Sequence, residues 1–201
     1  MSRRFTNTLR RVLPALLATG SAVALAHTGN DGAAHHDALG ALAAGFGHPF
    51  TGPDHLAAMV ALGIWSGLTA RRVWVAPLGF VAALLTGALM GMNGVALPLV
   101  EPMIAASLVV LGLLLASSSA LPAAAGVTLA ALFALFHGAA HGQELTGVFG
   151  LSALAGMVAA TALLHTAGIA IGLAMKHSQR WLPRVAGAAV ALFGVSLLVG
   201  V

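Results

Sequence analysis

Four long stretches of this chain, Val73 to Val100, Pro102 to Gln143, Leu145 to Met175 and Val185 to Val201, contain no Asp, Glu, Lys or Arg. A helix crossing a bilayer needs about 20 predominantly apolar residues, so these stretches can be read only as membrane spans. The stretch from Pro102 to Gln143 is long enough for two. Its one turn signal is Ser117-Ser118-Ser119 followed by Pro122, which divides it there. Charged residues make up 7% of the 201 residues, against roughly a quarter in a soluble domain. The expected fold is all-α: a polytopic transmembrane helix bundle.

The N-terminus has the pattern of a leader. Arg3, Arg4, Arg10 and Arg11 form a basic region, Val12 to Ala24 an apolar core, and Ala24-Leu25-Ala26 a small-x-small cleavage signal. This predicts a signal peptide over 1–26, a short periplasmic His-containing segment over 27–37, and a membrane domain over 38–201. Six spans are expected after the leader, at 38–70, 74–92, 99–118, 122–142, 147–175 and 182–201. Basic loop residues occur at Arg71 and Arg72, and again at Lys176, Arg180 and Arg184. The positive-inside rule makes both loops cytoplasmic. The mature N- and C-termini then face the periplasm of a cell inner membrane, as do the loops holding Glu101 and Glu144. Trp65, Trp74 and Trp181 fall toward cytoplasmic span ends and read as interfacial anchors.

Several chemistries are excluded early. There is no Cys, so disulfides, thiolate zinc sites and iron–sulfur clusters are impossible. The nine Lys and Arg are too dispersed for a nucleic-acid footprint. No His-Glu-x-x-His or Gly-x-Ser-x-Gly pattern supports an intramembrane hydrolase.

What chemistry there is lies in two polar runs inside apolar helices. The first is Gly47-His48-Pro49-Phe50-Thr51-Gly52-Pro53-Asp54-His55. Its prolines remove backbone donors and its glycines permit unusual dihedrals, so the first span should break here. Broken helices mark ion sites in transporters. On a continuous helix His48 and His55 would sit about 20° apart, given 100° per residue. The second run is Phe136-His137-Gly138-Ala139-Ala140-His141-Gly142-Gln143-Glu144. Positions i, i+4 and i+7 share one helical face, so His137, His141 and Glu144 form one ligand-bearing stripe. Imidazole with carboxylate suits first-row transition metals, whereas magnesium or calcium calls for mostly oxygen. The topology puts both runs near the periplasmic side, where one site could use them together. Ionisable groups within a membrane are functional by default. The competing reading is a haem-binding electron-transfer protein, since His residues on facing helices ligate haem; the carboxylates beside them argue against it.

Secondary candidates are His27, His35 and His36 in the N-terminal tract, Glu101 as a collecting carboxylate, and His165, deeper in the fifth span, as a relay. Each has an ordinary alternative. A terminal tract can be incidental, Glu101 beside Pro102 can be a solvated loop charge, and a buried His can simply bridge helices.

The His-Pro-Phe-x-Gly-x-Asp-His run of His48 to His55 and the Phe-His-Gly-x-Ala-His-Gly-x-Glu run of Phe136 to Glu144 resemble the HupE/UreJ family of hydrogenase and urease accessory permeases. The resemblance spans the whole mature chain. It implies a secondary transporter with no permanent cofactor, whose cargo is a divalent metal: nickel foremost, cobalt second. Its implied ligands are His48, Asp54, His55, His137, His141 and Glu144. The expected partners are the lipid bilayer and the transported ion, with no nucleic acid; a homo-oligomer is compatible with the sequence.

Overall fold

The computed structural model describes residues 37–145, 147–177 and 181–200. The expected signal peptide and the His27, His35 and His36 tract lie outside the described residues, as does Arg180. The described residues form seven α-helices and no strand: α1 (Ala38–Thr51), α2 (Pro53–Thr69), α3 (Val75–Met92), α4 (Val100–Ser117), α5 (Ala123–Glu144), α6 (Gly150–Met175) and α7 (Trp181–Gly200). From α3 to α7, five helices of 18 to 26 residues are long and apolar enough to cross a bilayer. The chain is a multi-pass membrane protein. Its outer surface carries exposed Leu78, Leu113, Leu151 and Leu192, as expected where lipid replaces water.

Local chemistry sets the helix ends. Asp37 caps α1 by accepting the Gly40 N–H at 2.6 Å, one of the donors a helix N-terminus leaves unsatisfied. The expected turn between the third and fourth spans is present: α4 ends at Ser117, with Ser118 left-handed at φ 49°. Pro122 then precedes α5, where its missing N–H costs no helical bond.

The predicted break in the first span falls at Gly52, which ends α1 and begins α2 with φ −90° and ψ 105°. Pro53 at the start of α2 has no N–H to bond back across the junction, and Pro49 removes a further donor from the last turns of α1. The break does more than kink a single span. Along α1 the backbone contacts run from Leu42 on Gly156 to Gly45 on Ala153, climbing toward the start of α6. Along α2 they run from Val60 on Gly168 to Ile64 on Gly172, descending toward its end. The two helices therefore form a V with Gly52 at its vertex, and the range 38–70 is not one continuous span. α1, with 14 residues, extends about 21 Å at 1.5 Å per residue, short of the roughly 30 Å hydrocarbon core.

Glycine-mediated contacts hold the remaining helices together. Gly138 and Gly142 of α5 press against the backbone of Leu84 and Ala88 on α3, so α3 and α5 run parallel. Gly112 of α4 meets Ala191 of α7, and Gly187 of α7 meets Ala116, which makes that pair antiparallel. Without a side chain at these positions the backbones come close enough for dispersion to hold them, which matters where lipid supplies no hydrophobic drive between helices. Together these directions put Arg71, Arg72 and Lys176 at one end of the bundle and Glu101 and Glu144 at the other.

Two of the three tryptophans behave as expected at an interface, Trp74 and Trp181 being about half exposed. Trp65 does not. It is buried, and its Nε1–H donates to the Ser119 carbonyl at 2.9 Å, so it ties α2 to the turn after α4. A large ring with one polar atom satisfies that atom when it is buried.

Candidate metal site

The site is built where the vertex of the V meets the end of α5. Gly138 and Gly142 seat α5 against α3, while the neighbouring His137 and His141 are buried and Glu144 is partly exposed. The V delivers His48 from the last turn of α1 and Asp54 and His55 from the first turn of α2. Ring centroids lie 4.7 Å apart for His48 and His141, 4.4 Å for His55 and His141, and 4.8 Å for His55 and His137. All six residues picked out by the two sequence runs thus meet in one place, with His48 and His55 on the two sides of the expected break.

One ligand atom from each of His48, His141 and Glu144 can be chosen so that all three lie within 4.8 Å of one another. Glu144 Oε2 is 3.7 Å from His48 Nε2 and 4.0 Å from His141 Nδ1. A metal ion coordinated at about 2.0–2.2 Å holds its ligand atoms at separations of this order. The site is graded in exposure. The His48 and Glu144 side chains are 17% and 20% exposed, that of His141 is 1%, and His137 is completely buried. An ion would meet the carboxylate first and lose contact with water as it moved toward His137.

The inner imidazoles have their tautomers set by neighbours of fixed chemistry. Asp54 Oδ1 lies 3.0 Å from His55 Nδ1; a carboxylate accepts, so Nδ1 carries the proton and Nε2 is the lone-pair nitrogen. On α4, the Ser107 hydroxyl donates to the Ile104 carbonyl at 2.6 Å and lies 3.0 Å from His137 Nε2. Its single hydrogen being used, it accepts from Nε2–H. His137 therefore presents Nδ1 as a lone pair, and that buried atom has no hydrogen-bond partner. Metal-ligating histidines characteristically donate their other ring N–H in this way. Asp54 is thus paired with His55, while Glu144 is the carboxylate among the three clustered donor groups. Ser107 had no motif to announce it; the only sequence signal was a hydroxyl in the middle of an apolar span.

The secondary candidates fare differently. Glu101 is exposed on the first turn of α4, outside the ligand group. His165 is buried one layer deeper, with Nδ1 2.9 Å from the Met59 carbonyl and its ring 5.1 Å from that of Phe80. The haem reading loses its footing, because imidazoles packed ring against ring admit an ion between their nitrogens but not a porphyrin between their planes.

The model of the HupE / UreJ protein family matches residues 15–197. Protein HupE of Rhizobium leguminosarum bv. viciae is 43% identical over 160 residues, which cover 78% of this chain and 84% of the relative. No solved structure matches the chain.

Proposed function

Since the chain belongs to the HupE/UreJ family of metal permease and accessory proteins, which are not enzymes, we propose that it is a permease for a divalent transition metal, with nickel the first cargo and cobalt the second. The observation that carries this reading is the convergence of His48, His141 and Glu144 donor atoms within 4.8 Å, backed by His55 and His137. Nitrogen with a single carboxylate oxygen favours nickel, cobalt or zinc over magnesium and calcium. Asp54 and Glu144 together bring two negative charges to the site, which match the charge of a divalent ion and lower the cost of holding it away from water.

In this reading α2 to α7 are six spans of a cell inner membrane, and α1 folds back on the first part of α6. The leader pattern and the basic residues Arg71, Arg72, Lys176 and Arg184 support a periplasmic mature N-terminus, a periplasmic C-terminus and a site that opens outward. A hydrated ion is captured by His48 and Glu144, exchanges water for His141 and His55, and reaches His137 as it leaves the exposed end.

Radiometal uptake tests the proposal. Cells expressing His141→Ala or Glu144→Ala at wild-type levels should accumulate nickel no faster than cells without the protein. Wild-type accumulation by both variants would sink the site assignment.

A further inference from the structure

Below the cluster the polar groups continue past an apolar ring. Phe80 of α3 is 1% exposed, and its ring centroid lies 5.8 Å from His137 and 5.1 Å from His165. It packs against both the innermost imidazole of the outer site, His137, and the fourth buried imidazole, His165. The Met59 carbonyl can only accept, so the 2.9 Å contact fixes the proton of His165 on Nδ1. Nε2 is then a lone-pair nitrogen, fully buried and without a hydrogen-bond partner. One turn outward on the same face of α6, the Thr161 hydroxyl is also completely buried and unpartnered, although a helical Thr usually bonds back to the carbonyl four residues earlier.

Leaving such groups unpaired costs about 1–3 kcal/mol each, and in a membrane interior no bulk water relieves them. Two buried polar atoms lie one helical turn apart on α6 without a hydrogen-bond partner, and the His165 ring is the one that packs on Phe80 and Met59. A lone-pair imidazole nitrogen with its other nitrogen anchored to a carbonyl has the form of a metal ligand.

We propose that His165 Nε2, assisted by the Thr161 hydroxyl, is a second and inner station for the transported ion, and that the Phe80 ring is the gate between it and His137. The inference rests on the permease reading and adds the route inward. Phe80 offers no ligand atom, so an ion leaves His137 only when the ring swings aside. An apolar constriction of this kind blocks passage while closed, and the ring face can attract a cation briefly in transit.

The test separates binding from transport, using Ni²⁺ as the probe and the full chain purified in detergent or reconstituted in vesicles. His165→Asn keeps a donor for the Met59 carbonyl and removes the Nε2 ligand; His165→Gln is the second variant. Both are expected to bind Ni²⁺ at the outer site with wild-type affinity and to take it up at least about tenfold more slowly, the scale on which site mutations act. Phe80→Ala should bind equally and transport at least as fast as wild type. Wild-type uptake by either His165 variant overturns the inner station. So does loss of Ni²⁺ binding in both, which would make His165 a support of the outer site. Slow uptake by a Phe80→Ala protein that still binds Ni²⁺ overturns the gate. A wild-type protein that neither binds nor takes up Ni²⁺ or Co²⁺ instead defeats the permease reading itself.

Discussion

Ser107 and His137 are joined across the α4–α5 interface by a hydrogen bond of 3.0 Å whose direction is fixed, because the Ser107 hydrogen is already committed to the Ile104 carbonyl at 2.6 Å. This hydroxyl decides which nitrogen His137 offers. Ser107→Ala should leave a buried N–H unsatisfied, at about 1–3 kcal/mol, and release the ring to either tautomer. Nickel affinity should fall about 10-fold or more, the usual effect of losing an orienting partner. Equilibrium dialysis of the purified variant checks this, and unchanged affinity would remove Ser107 from the site.

Asp54 makes a graded prediction. Asp54→Asn retains an acceptor for His55 Nδ1 but loses the charge, whereas Asp54→Ala loses both. Nickel affinity should therefore decline in the order wild type, Asn, Ala, with the Ala variant about 10–100-fold weaker. Equal effects of the two substitutions would mean that the charge alone matters.

Gly138 tests whether the close contact of α3 and α5 supports the site. Any side chain there runs into the Leu84 carbonyl, so Gly138→Val must push α3 and α5 apart or shift α5 along its axis. Overpacking of this kind costs about 1–3 kcal/mol. Thermal unfolding in detergent should show the loss, and the variant should bind nickel weakly because His137 and His141 flank the displaced position. A variant as stable as wild type would show that the interface yields without cost.

Nickel itself should stabilise the protein. Ligand at 100 times its dissociation constant contributes about 2.7 kcal/mol to a fold that binds it and an unfolded state that does not. The melting temperature should rise with nickel for the wild type and stay flat for a His48→Ala, Glu144→Ala double variant. An equal rise in the double variant would place the dominant binding elsewhere.

The tryptophans divide by role. Trp65→Phe removes the donor to the Ser119 carbonyl and should cost about 1 kcal/mol. Half-exposed Trp74→Phe should change thermal stability by less than about 0.5 kcal/mol. Equal effects would contradict the buried tie.

Much of the bundle is local information. The charge-free stretches determine the long helices α3 to α7, because an apolar segment of that length has one stable solution in a bilayer. Ser117 to Pro122 determines where α4 yields to α5, and the His137, His141, Glu144 stripe follows from helical periodicity alone. That the break would fall between His48 and His55 is equally local, since prolines and glycine act on their own backbone. What tertiary structure alone decided is the sense of that break. α1 turns back along α6 instead of continuing through the bilayer, because Gly45 and Gly156 let α1 and α6 backbones touch, and no short-range rule pairs those residues. The same holds for Ser107 beneath His137 and for Phe80 against both His137 and His165. Each depends on which helix faces which, a matter of packing distributed over the whole chain.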